Sequence, residues 1–97
     1  MITSKQRSYL RGLANKIQPI FQIGKNDIEE TFIKQINDAL TARELIKITV
    51  LETSDYTARE ASDLLCKKLK CEGVQAIGRK FVLYRRSKDN AKIELPV

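Results

Sequence analysis

The residues with the clearest chemical potential form one short run, Gly24-Lys25-Asn26-Asp27, between an apolar stretch and a helical pattern. A glycine there lets the chain turn sharply and lets a ligand approach the backbone. The first N–H groups of a following helix lack intrahelical partners, and the helix dipole favours negative charge beside them. Lys25 adds a movable cation, and Asn26 can donate to a phosphate or ribose oxygen. Such a junction suits holding a phosphate rather than breaking one. It is not a Walker A loop, because GxxxxGK[ST] is absent. A plain turn, with Asn26 or Asp27 capping the helix, satisfies the same residues.

Other reactive groups are few. The chain has no histidine, which removes the usual general base, proton shuttle and commonest metal ligand together. No side-chain pair fits a nucleophile–base arrangement, so neither an enzyme nor a cofactor or metal site is expected. Glu29 and Glu30 suit the first turn of a helix, where acids meet the positive end of the dipole. Cys66 and Cys71 are the only cysteines. On one helix their five-residue offset turns them about 140° apart, which points the thiols away from each other. With no CxxC spacing and no histidine, zinc and redox roles are not expected. The pair is read as two free thiols of a reducing cytoplasm.

Charge is more informative. The 97 residues carry 18 Lys+Arg against 12 Asp+Glu, a net +6. Residues 1–26 hold five cations and no acid, residues 27–63 hold nine acids against four bases, and residues 64–97 hold nine bases against three acids. Segregation of this kind makes a directional field that attracts a polyanion. No window approaches the ~18 apolar residues of a membrane span. The opening MITSKQR has no apolar region of the kind a secretory signal needs. No Trp or Phe anchors the apolar side of the first helix to a membrane surface.

These groups must be positioned by one domain spanning 1–97, the size a single core can organise. Thr3 or Ser4 starts a first helix, Ser4 to Ile17, with Leu10, Leu13, Ala14 and Ile17 as its buried stripe and Pro19 beyond its end. Lys5, Arg7, Arg11 and Lys16 lie off that stripe, facing water or a ligand. Pro19 to Ile23 reads as a strand, and a second helix then runs to about Leu40 on Ile28, Phe32, Ile33, Ile36 and Leu40. Leu45 to Glu52 alternates Ile46, Ile48 and Val50 inward against Lys47 and Thr49 outward. Ser54 or Asp55 caps a third helix, Tyr56 to Lys70, with Ala58, Ala61, Leu64, Leu65 and Leu69 buried and Gly73 as its stop. Val74 to Ile77 and Phe81 to Arg85 form a hairpin about Gly78-Arg79-Lys80. Residues 87–97 are polar and expected to form a frayed tail. The order α-β-α-β-α-β-β predicts an α/β chain of the two-layer α+β kind, a mixed four-stranded sheet packed by helices.

Three ordered blocks now stand out: Pro19-Ile20-Phe21-Gln22-Ile23-Gly24-Lys25-Asn26, Arg43-Glu44-Leu45-Ile46-Lys47 and Ile77-Gly78-Arg79-Lys80-Phe81-Val82-Leu83-Tyr84-Arg85. With the opening Lys5-Gln6-Arg7-Ser8-Tyr9-Leu10-Arg11, they resemble the CRM-domain family, and within it the single-domain bacterial YhbY-like proteins. The resemblance implies a fold like the C-terminal domain of bacterial translation initiation factor three. It also implies binding of ribosomal RNA in precursors of the large (50S) subunit and assistance in ribosome assembly. The family's loop is GxxG, comparable to the phosphate-clamping loop of KH domains. Asp27 stands at its second glycine, where a carboxylate caps the helix but competes for the same amides.

The expected RNA surface joins Lys5, Arg7, Arg11 and Lys16 of the first helix, Gly24, Lys25 and Asn26 of the loop, and Arg79 and Lys80 of the hairpin turn. Lys and Arg would meet phosphates and give affinity with little sequence choice. Phe81 and Tyr84 are expected in the core rather than stacked on bases, and Arg85 fits either an RNA contact or a strand end. The expectation is a monomeric, cytoplasmic RNA-binding protein with no small-molecule substrate and no membrane partner. The alternative is a protein-interaction module docking on an acidic ribosomal protein or translation factor.

Overall fold

Capping chemistry sets most of the helix starts. In the computed structural model, which describes residues 2–25, 28–88 and 91–97, α1 runs Ser4–Ala14 behind a capping box. The Thr3 hydroxyl accepts from the Gln6 N–H while the Gln6 side chain accepts from the Thr3 N–H. The expected extension to Ile17 is instead a pair of tight i+3 turns, Lys16 N to Leu13 O and Ile17 N to Ala14 O, as the chain tightens before Pro19. After β1 (Phe21–Ile23), α2 (Glu30–Arg43) begins later than a cap at Asn26 or Asp27 requires. Its N-cap is Glu29, without a side-chain capping bond; Asn26 and Asp27 lie outside the described residues.

After β2 (Leu45–Val50), α3 (Ala58–Leu69) opens on a second capping box, Thr57 with Glu60, rather than on Ser54 or Asp55. Ser54 accepts from the Tyr56 N–H in the preceding turn. The helix ends not at Gly73 but at Lys70, which takes the left-handed conformation with φ 54°. Gly73 belongs to β3 (Glu72–Ile77) and sits at a register shift against β4 (Lys80–Tyr84). Gly78, at φ 61°, turns the two-residue hairpin, a conformation that favours glycine.

The sheet order is β1-β2-β4-β3, with β1 parallel to β2 and β4 antiparallel to both its neighbours. β4 thus fills the gap left by the β2–α3–β3 crossover, a split βαβ arrangement. Alternation along the strands feeds two cores. Ile46, Ile48, Val50, Phe81 and Leu83 pack with Ile36 and Leu40 of α2 and Ala61 and Leu65 of α3. Leu45, Val82, Tyr84 and Val74 pack with Leu10 and Ala14 of α1. The α+β class and mixed sheet stand as expected, and α1 adds a partial third layer to the two expected. Phe81 and Tyr84 are buried, so neither ring is free to stack on a base.

Two charged residues inside this frame organise its ends. Glu44 is fully buried. Its carboxylate accepts from the backbone N–H groups of Ser87 (2.9 Å), Ile93 (2.9 Å) and Lys92. Burial alone would raise its pKa, but those three donors and nearby Arg86 outweigh it and hold the carboxyl below its ordinary 4.5. The tail expected to fray is therefore bolted down, and Ile93 and Leu95 pack against the α1 core. Arg85, at the end of β4, donates to Asn37 Oδ1, Asn37 O, Leu69 O and Thr41 Oγ1 within 2.8–3.1 Å. It clamps α2 to the end of α3, a structural task for a residue at a strand end.

Candidate nucleic-acid interface

The residues expected to meet RNA divide between opposite ends of the sheet. Ile23 pairs with Val50, and Thr49 pairs with Lys80, so the Gly24-Lys25 loop and the hairpin turn share the end where β1 and β2 finish. Gly24 is buried and Lys25 exposed. No described residue pairs with the side chains of Lys25 or Lys80, whereas Arg79 lies 3.8 Å from Glu52 in an exposed ion pair. Asn26 falls outside the described residues. A six-residue strand such as β2 is about 20 Å long, so α1, which packs at the other end of β2, cannot share one phosphate with this loop.

On α1 the expected cations have different fates. Arg7 is half-buried, donates to Gly73 O and lies 3.9 Å from Glu72. Arg11 Nε points to Val74 O at 3.4 Å. Both guanidinium groups meet carbonyls along the open edge of β3, and they line a groove of about 790 Å³ with Arg59, Asp63, Cys66 and Cys71. Lys5 is exposed and its Nζ reaches Val97 O at 3.2 Å. Lys16 lies past the helix end and is exposed.

Lys16 opens onto a second groove of about 570 Å³ between α1, the start of β2 and the tail. Its walls are apolar, with Leu13, Ile17, Ile20 and Ile93, and among the described residues four cations, Lys16, Arg43, Lys47 and Lys92, line it without any acid. Among the described residues none of these four side chains is in an ion pair. Sequence reasoning singled out Lys16 alone. Arg43 and Lys47 stood in one of the three family-like blocks, and Lys47 at an outward strand position, so a signal for both was present. Lys92 had none, because only the Glu44 bolt brings the tail to this wall.

Among the described residues no three metal-ligating side chains cluster, and no helix is long and apolar enough to cross a membrane. The Lys16 groove offers cations on apolar walls, material for recognising an anion.

Comparison with known proteins agrees with this architecture. The CRS1 / YhbY (CRM) domain matches residues 2–85. The chain is 45% identical over 96 residues to a Bacillus subtilis protein named Probable RNA-binding protein YqeI, covering 99% of this chain and 100% of that one. A Haemophilus influenzae protein named RNA-binding protein is 36% identical, covering 98% of this chain and 95% of that one. The solution structure of the hypothetical protein SAV1595 from Staphylococcus aureus superposes with a TM-score of 0.73 at 49% identity, covering 99% of this chain and 100% of that one. The chain belongs to the CRM-domain family.

Proposed function

We propose that this protein binds RNA without catalysing a reaction, and that its RNA is ribosomal RNA in large (50S) subunit precursors, whose assembly it assists in the cytoplasm. Family membership carries the reading: full-length relatives bear RNA-binding names. The cations without partners suggest where contact occurs. The groove of Lys16, Arg43, Lys47 and Lys92 is the main candidate, and Lys25 and Lys80 at the far end of the sheet are a second contact for the same strand. Lys5, exposed at the start of α1, is a further contact, while Arg7 and Arg11, held to the carbonyls of β3, and Gly24 and Arg79 contribute mainly by shaping the surface. The link to 50S precursors rests on the resemblance of the Gly24-Lys25-Asn26, Arg43–Lys47 and Ile77–Arg85 blocks.

Binding to a ribosomal RNA fragment, followed across a salt series, tests the first part. Some three to five phosphate contacts give a slope of about −2 to −4 in log affinity against log salt. Sedimentation of cell extracts tests the second: the protein should travel with large-subunit precursors rather than with polysomes. The apolar wall of the Lys16 groove supports a second reading, an acidic protein partner. In that case association with precursors survives nuclease treatment, and the slope on naked RNA is near zero.

A further inference from the structure

The two cysteines do not sit on one helix. Because α3 ends at Leu69 and Lys70 turns left-handed, the N–H groups of Lys70 and Cys71 both reach back to Cys66 O, the latter at 3.3 Å. The bond from Cys71 is the 6→1 bond of a Schellman ending, which sets the residue after the left-handed turn beside the residue five before it. Those two residues are Cys71 and Cys66, and both line the groove at the β3 edge. The expected 140° separation therefore fails, since it assumed that the helix continues through Cys71.

We infer that Cys66 and Cys71 are a peroxide-sensitive dithiol that closes a disulfide within one chain. The two positions differ in the way such a pair requires. Cys66 is half-buried and lines the β3-edge groove beside Arg7, Arg11 and Arg59, whereas Cys71 is buried, its Sγ 3.8 Å from Leu65 O. Gly73 keeps the site open: a Cβ there would come within 3.2 Å of Ser62 Oγ and 3.6 Å of Cys66 Sγ. The Cys71 and Ser62 hydrogen bonds favour the Cys66 thiolate, against burial and the charges of Asp63 and Glu72. Donation to Cys66 and burial keep Cys71 protonated. Cys66 is thus the attacking sulfur and Cys71 the resolving one.

The chemistry balances with a hydroperoxide as oxidant. The Cys66 thiolate attacks one peroxide oxygen, the O–O bond breaks, and hydroxide leaves and takes up a proton. Cys66 is then a sulfenic acid. The Cys71 sulfur attacks it, the S–S bond forms, and the S–O bond breaks. The departing hydroxyl leaves as water with the proton from Cys71. Two thiols lose two electrons and two protons, and hydrogen peroxide becomes two waters.

The test treats the folded, reduced protein with hydrogen peroxide and reads alkylatable thiols and intact mass. The expected result is loss of both thiols, an intact mass lower by two hydrogens, and no covalent dimer. Trypsin cuts between the cysteines after Lys67, Lys68 and Lys70, so the bridged peptides stay joined until a reductant separates them. In Cys71→Ser, Cys66 should gain a dimedone-reactive oxygen; in Cys66→Ser, Cys71 should stay a thiol. Wild-type protein that keeps both thiols, links two chains, or carries sulfinate on Cys66 beside a free Cys71 overturns the inference whatever the variants do.

Discussion

Arg7 and Arg11 face the open edge of β3, whereas Lys16, farther along the same chain segment, shares a groove with Arg43, Lys47 and Lys92. Both regions are rich in cations, yet they use them differently. At the β3 edge the guanidinium groups meet the carbonyls of Gly73 and Val74, and Asp63 and Glu72 line the same groove. An edge strand leaves carbonyls without ladder partners, and a fixed fork of donors is well made to cover them. Among the described residues, the Lys16 groove has no acid on its walls and no carbonyl bound by its cations. The lesson is that a basic residue marks a binding surface only when the fold leaves its charge unspent.

The largest expected effect breaks that comparison directly. Reversing charge at Lys16→Glu together with Lys47→Glu should weaken RNA binding about 100-fold at low salt, near 2.7 kcal/mol. Stability should stay within about 0.5 kcal/mol, because these side chains hold nothing together. The loss should shrink as salt rises. Equal affinities for the double variant and wild type, measured by fluorescence anisotropy, would remove this groove from the interface.

Next comes Glu44, which holds the tail that brings Lys92 and Ile93 to the groove. Glu44→Gln keeps one acceptor but sets an amide N–H₂ against a backbone N–H, and should cost about 2 kcal/mol of stability at neutral pH. Its pH dependence has a definite sign. The folded carboxyl titrates below the unfolded value of 4.5, so its stabilisation is complete above about that pH. It is lost as pH falls through the lower, folded value. The stability gap between wild type and Glu44→Gln, read from urea melts, should therefore be constant near neutrality and narrow only once the pH falls below the unfolded value of 4.5. A gap that persists there would mean that the bound form is not the carboxylate.

Arg7→Ala is the counterpart at the β3 edge. It should cost about 1 kcal/mol by leaving Gly73 O without its donor, while RNA affinity per folded molecule changes less than twofold. An affinity loss as large as that of the Lys16 and Lys47 variants would show that both regions touch RNA and that covering the strand edge is secondary.

The same distinction explains what could be read from the residues alone. Strand and helix order, the inward faces of β2 and α3, and the hairpin at Gly78 follow from local patterns that act within a few residues. So does the Thr57–Glu60 capping box, a T-x-x-E signature lying in plain sight beside the less apt Ser54 and Asp55. Glu44 and Arg85 were illegible for another reason. Each is a charged residue at an element end, and such positions are ordinarily solvated. Only the pairing of Leu45 with Tyr84 brings residue 44 beside residues 85 and 87. Whether Arg7 is spent or spare depends on where β3 lies, which no helical periodicity contains. The cysteine pair falls between these cases: a left-handed Lys70 is a local event, but lysine gives no warning of it.

The smallest effects belong to the far end of the sheet, where the comparison recurs within one small surface. Lys25 follows Gly24 with no described partner, while Arg79 lies 3.8 Å from Glu52 across an exposed pair. Such a pair contributes little to stability, but Glu52 offsets part of the field that Arg79 offers a phosphate. Lys25→Ala should weaken RNA binding about threefold and reduce the steepness of the salt dependence by about 0.7, one contact on a single strand. Arg79→Ala should do less, and Glu52→Gln should strengthen binding slightly by releasing the arginine. Melting temperatures should not move for any of the three. If Arg79→Ala weakens binding more than Lys25→Ala, the ion pair opens on contact with RNA, and pairing in the free protein ceases to be a guide to which cations are spent at this end of the molecule.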